Sequence, residues 1–328
     1  LHTADGGTTW VDVTPPEPIQ VMPYATQAAI GYFTDGNTGW VAYAQAPGAA
    51  AQPTAVVWRT TDAGRTWTAC APLDLSGLEE TFAPRFLGFA DDGTGWLLVD
   101  VGAGMSHEYV ALYTTGDSGE TWERVLDPYG DAPIQVCWKT GITFADAQTG
   151  WLTRDCRGVA EGAFVDVTGD GGRTWESVQL LPPEDQPEAF TYPNACGTHS
   201  PYLSSPLSGL LGVSCQTYEP GEVRPGLSLV YRTRDGGTIW TADPAPGGEL
   251  GLMAGRLTWA FGREIQMTAD DGRTWSLVKT VNWDGQFDFV DPVNGWAVAR
   301  EGEEIALVRT EDGGASWQLL PPVTTSEG

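Results

Sequence analysis

An eight-residue pattern, Thr-x-Asp-x-Gly-x-Thr-Trp, recurs along the whole chain and limits what it can fold into. It stands as TADGGTTW at 3–10, TTDAGRTW at 60–67, TGDSGETW at 115–122, TGDGGRTW at 168–175 and TADDGRTW at 268–275. TEDGGASW (310–317) carries Ser at the seventh place and TRDGGTIW (233–240) carries Ile239 there, which makes seven copies. Such regularity marks an architecture built by repeating one unit. The Asp at the third place can accept hydrogen bonds from backbone N–H groups just ahead of it and close a loop. Gly at the fifth place permits a positive φ, and Trp at the eighth opens the next strand. Burying such an indole is worth roughly 4–6 kcal/mol gross, at about 25 cal/mol per Å². Asp5, Asp62, Asp117, Asp170, Asp235, Asp270 and Asp312 therefore read as structural. A calcium loop is a poor alternative, because ligand-spaced carboxylates are missing around them.

A second pattern, Phe-x-Asp-x-x-x-Gly-Trp, alternates with the first. It appears as FTDGNTGW (33–40), FADDGTGW (89–96), FADAQTGW (144–151) and FVDPVNGW (289–296), with degraded copies LSSPLSGL (203–210) and LMAGRLTW (252–259). Apolar residues alternate ahead of it, as in Leu87/Phe89, Ile142/Phe144 and Phe287/Phe289, which is strand periodicity. Each unit reads as strand a, Gly-Trp turn, strand b, loop, strand c, Asp octet, strand d. The two patterns hold twelve of the fifteen tryptophans, so these are architecture. Four antiparallel strands repeated around a circle make a β-propeller. No stretch reads as a helix of any length, and no linker divides residues 1–328, so one all-β domain is expected.

The alternation of F-x-D-x-x-x-G-W with T-x-D-G-G-x-T-W resembles the photosystem II stability/assembly factor family and its non-photosynthetic bacterial relatives, over essentially the whole chain. Asp octets alone occur in sialidases and several other propellers. The resemblance implies a seven-bladed Asp-box (BNR-type) propeller that acts as a binding scaffold. Photosystem-assembly members of that family are thought to use an arginine-rich surface, and this chain departs from that with 43 acidic against 17 basic residues.

Six Gly-Trp hairpins are each followed by an octet, giving six full repeats from about 20 to 322. TADGGTTW is a seventh octet, with strands c and d of an incomplete blade at 1–16. A hairpin upstream of Leu1 would complete it; a strand donated by a partner to the open edge is the alternative.

Cysteines occur at 70, 137, 156, 196 and 215. Cys137 and Cys156 lie 19 positions apart, as do Cys196 and Cys215, and both pairs fill the same columns of consecutive repeats. One cysteine precedes strand a and its mate ends strand b, so two equivalent disulfides are expected, each worth about 3 kcal/mol by loop closure. A four-cysteine metal site lacks the close ligand spacing it needs. Cys70 is left as a free thiol. Paired cysteines point to an oxidising, extracytoplasmic compartment. The formal charge of -26 repels phosphate backbones and anionic lipids, so nucleic acid is excluded as a partner. No apolar run is long enough to span a bilayer.

Gly-Trp turns and Asp octets fall on one face; the d-to-a and b-to-c connections fall on the other and vary in length, most over repeats one to four. Variable loops on a rigid scaffold are where binding resides, so a protein or glycan is expected on that face. Trp138 and Trp283 each lie twelve residues before their turn glycine, near the channel mouth, as platforms for a sugar or peptide or as packing against the next blade. Arg263 and Arg300 share a column near the end of strand b, where Asp100 and Asp155 stand in earlier repeats; they could grip a ligand or be solvated rim residues. A non-enzymatic binding or assembly scaffold is expected, with a carbohydrate-active hydrolase or a structural subunit of a cell-surface assembly as the alternatives; catalysis has little support. Sialidase arginines and a nucleophile elbow are absent, and Asp100 with Asp288 is the only carboxylate pair to name for a glycoside hydrolase. No haem attachment, phosphate loop or dinucleotide motif occurs, so no cofactor and no metal are expected.

Overall fold

The computed structural model describes residues 1–15, 29–44, 56–78, 81–130, 133–252, 258–321 and 323–325. The described residues are all-β apart from one short 3-10 turn, Pro133–Gln135. Repeats one, two, five and six each form a separate four-stranded antiparallel sheet with neighbours in chain order. Repeats three and four share one eight-stranded sheet, joined by a single pairing of Asp155 with Gly197. The result is a propeller-like ring of four-stranded units. The turn of the degraded copy in repeat five, 253–257, lies outside the described residues, as does the start of repeat one, 16–28.

Both patterns act locally as their residues require. In repeat two the turn pattern pairs Phe89 with Gly95 across strands 83–89 and 95–104. Asp91 closes the turn by accepting the N–H groups of Gly93 and Thr94 at 2.8 and 2.6 Å. A Cβ on Gly95 would stand 2.5 Å from the Phe89 ring, so the glycine is what lets the ring fold over the turn. In the octet at 60–67, the Thr60 hydroxyl donates to Asp62 at 3.0 Å and accepts the Gly64 N–H at 2.9 Å. Asp62 accepts the Thr66 N–H at 2.8 Å and its hydroxyl at 2.7 Å. The same scheme recurs around Asp117, Asp170, Asp270 and Asp312. At Ile239 the backbone bond to Asp235 is kept at 2.9 Å, while the side chain is exposed.

Neighbouring units lock through indoles. Trp40 of repeat one donates to the Ser118 carbonyl at 2.8 Å, the fourth residue of the next octet. Trp259 donates to the corresponding Gly313 carbonyl, and Trp296 of repeat six to Gly6 at 3.0 Å. The first octet thus docks on repeat six as the octets at 115–122 and 310–317 dock on repeats one and five. On its other side, Trp67 of repeat one donates to the Val13 carbonyl at 2.7 Å. Residues 1–15 therefore sit between repeats six and one. Strand Thr9–Val11 pairs in parallel with Val323–Thr325 and meets His2 through one isolated bridge. The expected c strand is reduced there to that bridge.

Candidate binding face

Strand a begins, strand b ends and strand c begins on the side opposite the octets. In repeats two and three this side is built around buried charge. Glu108, at the start of strand c of repeat two, is fully buried; it accepts the Arg85 guanidinium at 2.7 Å and the backbone N–H of Lys139 at 2.5 Å. The Lys139 ammonium, also buried, donates to the carbonyls of Glu108 and Cys137, each at 2.8 Å. Burial pulls Lys139 down to about 8 against the pull of Glu108, and pushes Glu108 up. In strand b of repeat three, Arg154 meets the buried Asp166 at 3.0 Å, and burial pushes that carboxyl up to about 6. None of these four buried groups stood out in the sequence. The available signal was a charge at an interior place of a strand, as in Val165-Asp166-Val167.

Other charged groups of this side are only partly exposed. Asp100 accepts the Gly102 N–H at 2.8 Å and lies 3.9 Å from Arg85; burial raises its carboxyl. Asp155 is bound by Arg157 through Nε to both oxygens, at 2.8 and 2.9 Å, and through Nη2. Burial pushes Asp155 up, but those bonds outweigh it and hold it below the usual range. Directly opposite Asp155 in the register stands Trp138, with 50% of its surface exposed. Both disulfides are present, Cys137–Cys156 and Cys196–Cys215, at the predicted ends of their hairpins. Cys70 is free and buried, and burial pushes its thiol up to about 11.

The other sequence candidates separate. Trp283 is packed: it stacks on Phe287 at 5.3 Å and meets Trp317 edge-on at 5.7 Å. Arg263 forms an exposed two-point pair with Asp284 at 3.1 Å, and Arg300 lies opposite Asp284 in the register. Asp288 pairs with Trp296 beside the Gly-Trp turn, whereas Asp100 pairs with Ala83 at the far end of its strand. By register the two carboxylates sit about four residues apart along their strand pairs. Among the described residues no group of three or more His, Cys, Asp or Glu could hold a metal ion, and no helix is long and apolar enough to cross a membrane.

Some of the exposed apolar side chains lie on the same side, whereas Phe33, Leu207, Ile239, Val290 and Val293 are exposed at the Gly-Trp turns and octets. Met105 caps the b-to-c hairpin of repeat two and is 96% exposed. His107 of that hairpin bridges to Cys137, next to Trp138. Across the seam, exposed Tyr218 pairs with exposed Val223, and its N–H donates to Pro193 beside exposed Tyr192. Three clefts of about 300–320 Å³ lie instead near the octets, lined by Arg232, Arg234 and Asp271, by Glu123, Asp146 and Arg173, or by Arg59, Cys70 and Glu120.

No protein-family model matches the chain, and no curated protein matches it. Solved structures do. YCF48 bound to D1 peptide is similar at 18% identity, over 93% of this chain and 87% of that one, with a TM-score of 0.48. The Penicillium chrysogenum alpha-L-arabinanase complexed with arabinobiose is 12% identical over 90% of this chain and 96% of that one, with a TM-score of 0.53. The polysaccharide lyase Uly1 is 12% identical over 84% and 75%, with a TM-score of 0.57. Identities this low describe a shared fold, and a fold alone does not fix a function.

Proposed function

We propose that the chain is a non-enzymatic binding or assembly scaffold that uses the side opposite its octets, over repeats two to four. One observation carries the reading. The buried ionisable groups beneath that side are committed to internal partners, while large exposed side chains above them, Met105, Trp138 and Tyr218, are apolar or aromatic and flank the partly exposed Asp155–Arg157 pair. A catalyst needs a carboxylate that can reach substrate and change protonation; Glu108 and Asp166 are sealed. Exposed aromatics over a rigid base are instead the anchors of a recognition surface. The ring is of the seven-bladed type in this reading, with residues 1–15 holding the seventh place. Two disulfides support an oxidising, extracytoplasmic setting.

A glycan-array, peptide-array and hydrolysis screen of the purified chain tests this, run beside Trp138→Ala and Trp283→Ala. Binding without turnover, lost in Trp138→Ala and kept in Trp283→Ala, is expected. Turnover of any glycan would replace the scaffold reading with that of a carbohydrate-active hydrolase.

A further inference from the structure

The seam where repeats three and four meet has the parts of a small, charge-neutral recognition site. Trp138 offers half its ring surface to solvent. Cross-strand partners project their side chains to the same side of a sheet, with Cβ atoms about 5 Å apart. The Asp155 carboxylate therefore stands beside that indole, and Asp155 is bound side-on by Arg157. Gly197 pairs with Asp155 from repeat four, and a Cβ there would lie 2.9 Å from a carboxylate oxygen. The missing side chain leaves the carboxylate its room.

The frame holds this arrangement from every side. The Cys137–Cys156 disulfide joins the residue before Trp138 to the residue after Asp155. Cys196, next to Gly197, is clipped to Cys215. The loop carrying Arg157 is tied down as Val159 and Ala160 donate to the Cys156 carbonyl at 2.9 and 3.0 Å. Arg154, one residue before Asp155, is anchored to the Pro133 carbonyl at 2.9 Å. A solvated rim does not need such fixing; a preorganised contact does, because ordering it beforehand lowers the cost of binding.

The chemistry selects the ligand. His199 lies near the pair, and burial, with Arg157, holds it below its usual range, so it is neutral at pH 7. Asp155 and Arg157 cancel. On a chain of charge -26, a site with no net charge does not discriminate for a cationic peptide. A flat indole face next to a planar acceptor-donor pair matches a sugar ring: axial C–H groups lie on the indole, and adjacent hydroxyls donate to the carboxylate and accept from the guanidinium. The geometry points to a binding subsite for one neutral sugar residue of a glycan at the seam of repeats three and four, with Trp138 as platform and Asp155–Arg157 as grip. This rests on the binding reading above and names its ligand class.

Calorimetric titration with cellohexaose, xylohexaose, arabinohexaose and mannohexaose tests it, with an oligogalacturonate as the charged control. At least one neutral oligosaccharide should bind, more tightly than the control. Trp138→Ala should weaken it about tenfold or more, which corresponds to about 1.4 kcal/mol or more, and Trp138→Phe should retain part of it. Asp155→Asn should weaken it with a circular dichroism spectrum unchanged from wild type. Should that variant misfold, Arg157→Gln supplies the same reading. Trp283→Ala should leave affinity unchanged. Failure of all four neutral sugars to bind, or equal binding by Trp138→Ala, overturns the inference. Trp138-dependent capture from the peptide array in that case would leave the scaffold reading standing and the sugar subsite refuted. Silence on both would refute both.

Discussion

Trp138 and Trp283 occupy the same column of the sequence repeat, yet the fold treats them oppositely. Trp283 closes an aromatic stack with Phe287 and Trp317, whereas Trp138 stands half in solvent. The cause lies one residue further along. In repeat six, strands 284–289 and 295–301 pair without interruption. In repeat three the register slips between Lys139 and Gly141. One extra residue turns the side chains before it to the other side of the strand, and such a bulge re-aims a side chain next to a functional site. Lys139 sits at the slip, its N–H held by Glu108 and its ammonium by two carbonyls. The buried charges of repeats two and three thus serve as the clamp that keeps Trp138 outward. Repeats five and six carry no cysteine, and among their described residues no buried charged pair forms such a clamp. Strands b and c run 12 residues each in repeat four, against 4 and 5 in repeat five.

Removing the clamp should have the largest effect. Glu108→Ala leaves the Lys139 ammonium buried and uncompensated, which costs on the order of 3–5 kcal/mol. Urea unfolding should show it as a lower midpoint, and Trp138 should become less open to acrylamide quenching in the folded protein. An unchanged midpoint would mean that the clamp is ornamental. Replacing the Cys196–Cys215 pair by serines should cost about 3 kcal/mol in the loop-closure account. The drop should show in a thermal scan, with the octet side unaltered by hydrogen exchange. Trp283→Ala should cost about 2–4 kcal/mol, because it empties part of a packed cluster, while Trp138→Ala stays within ~0.5 kcal/mol. Equal losses would erase the contrast between the two columns.

The pH response separates the two sides as well. Asp166 binds protons more tightly folded than unfolded, its carboxyl rising from 3.8 to about 6. Its contribution is complete below 3.8 and is lost as pH rises through about 6. Octet carboxylates go the other way: hydrogen bonds from Thr274 hold Asp270 at about 2, and those from Thr9 do the same for Asp5. Their contribution is present above 3.8 and is lost as pH falls toward about 2. Asp166→Asn should therefore flatten the decline between pH 4 and 6 and leave the acid limb below pH 4 in place. Unfolding midpoints across pH 2–7 would check it. The smallest effect belongs to Ile239→Thr, which restores the hydroxyl donor to Asp235 and should raise the thermal midpoint slightly.

The octets were legible in the sequence because turn chemistry is local. Thr60, Asp62, Gly64 and Thr66 satisfy one another within seven residues, so the pattern carries its own structure. The disulfides were legible because the repeat supplied a ruler. The buried pairs were not. Glu108 and Lys139 are 31 positions apart and meet only when repeats two and three pack. The bulge escaped for the same reason: nothing in Lys139-Thr140-Gly141 announces a slip that neighbouring strands impose. Trp138 and Trp283 could be placed in one column but not told apart.

Amide hydrogen exchange of the chain, alone and saturated with the strongest ligand from the array screen, tests the central claim most directly. The account predicts protection confined to residues 102–109, 137–139, 155–160 and 216–224, with the octets unchanged. Protection at the octets or the clefts beside them, with those four segments unaffected, would place the binding face on the wrong side of the ring.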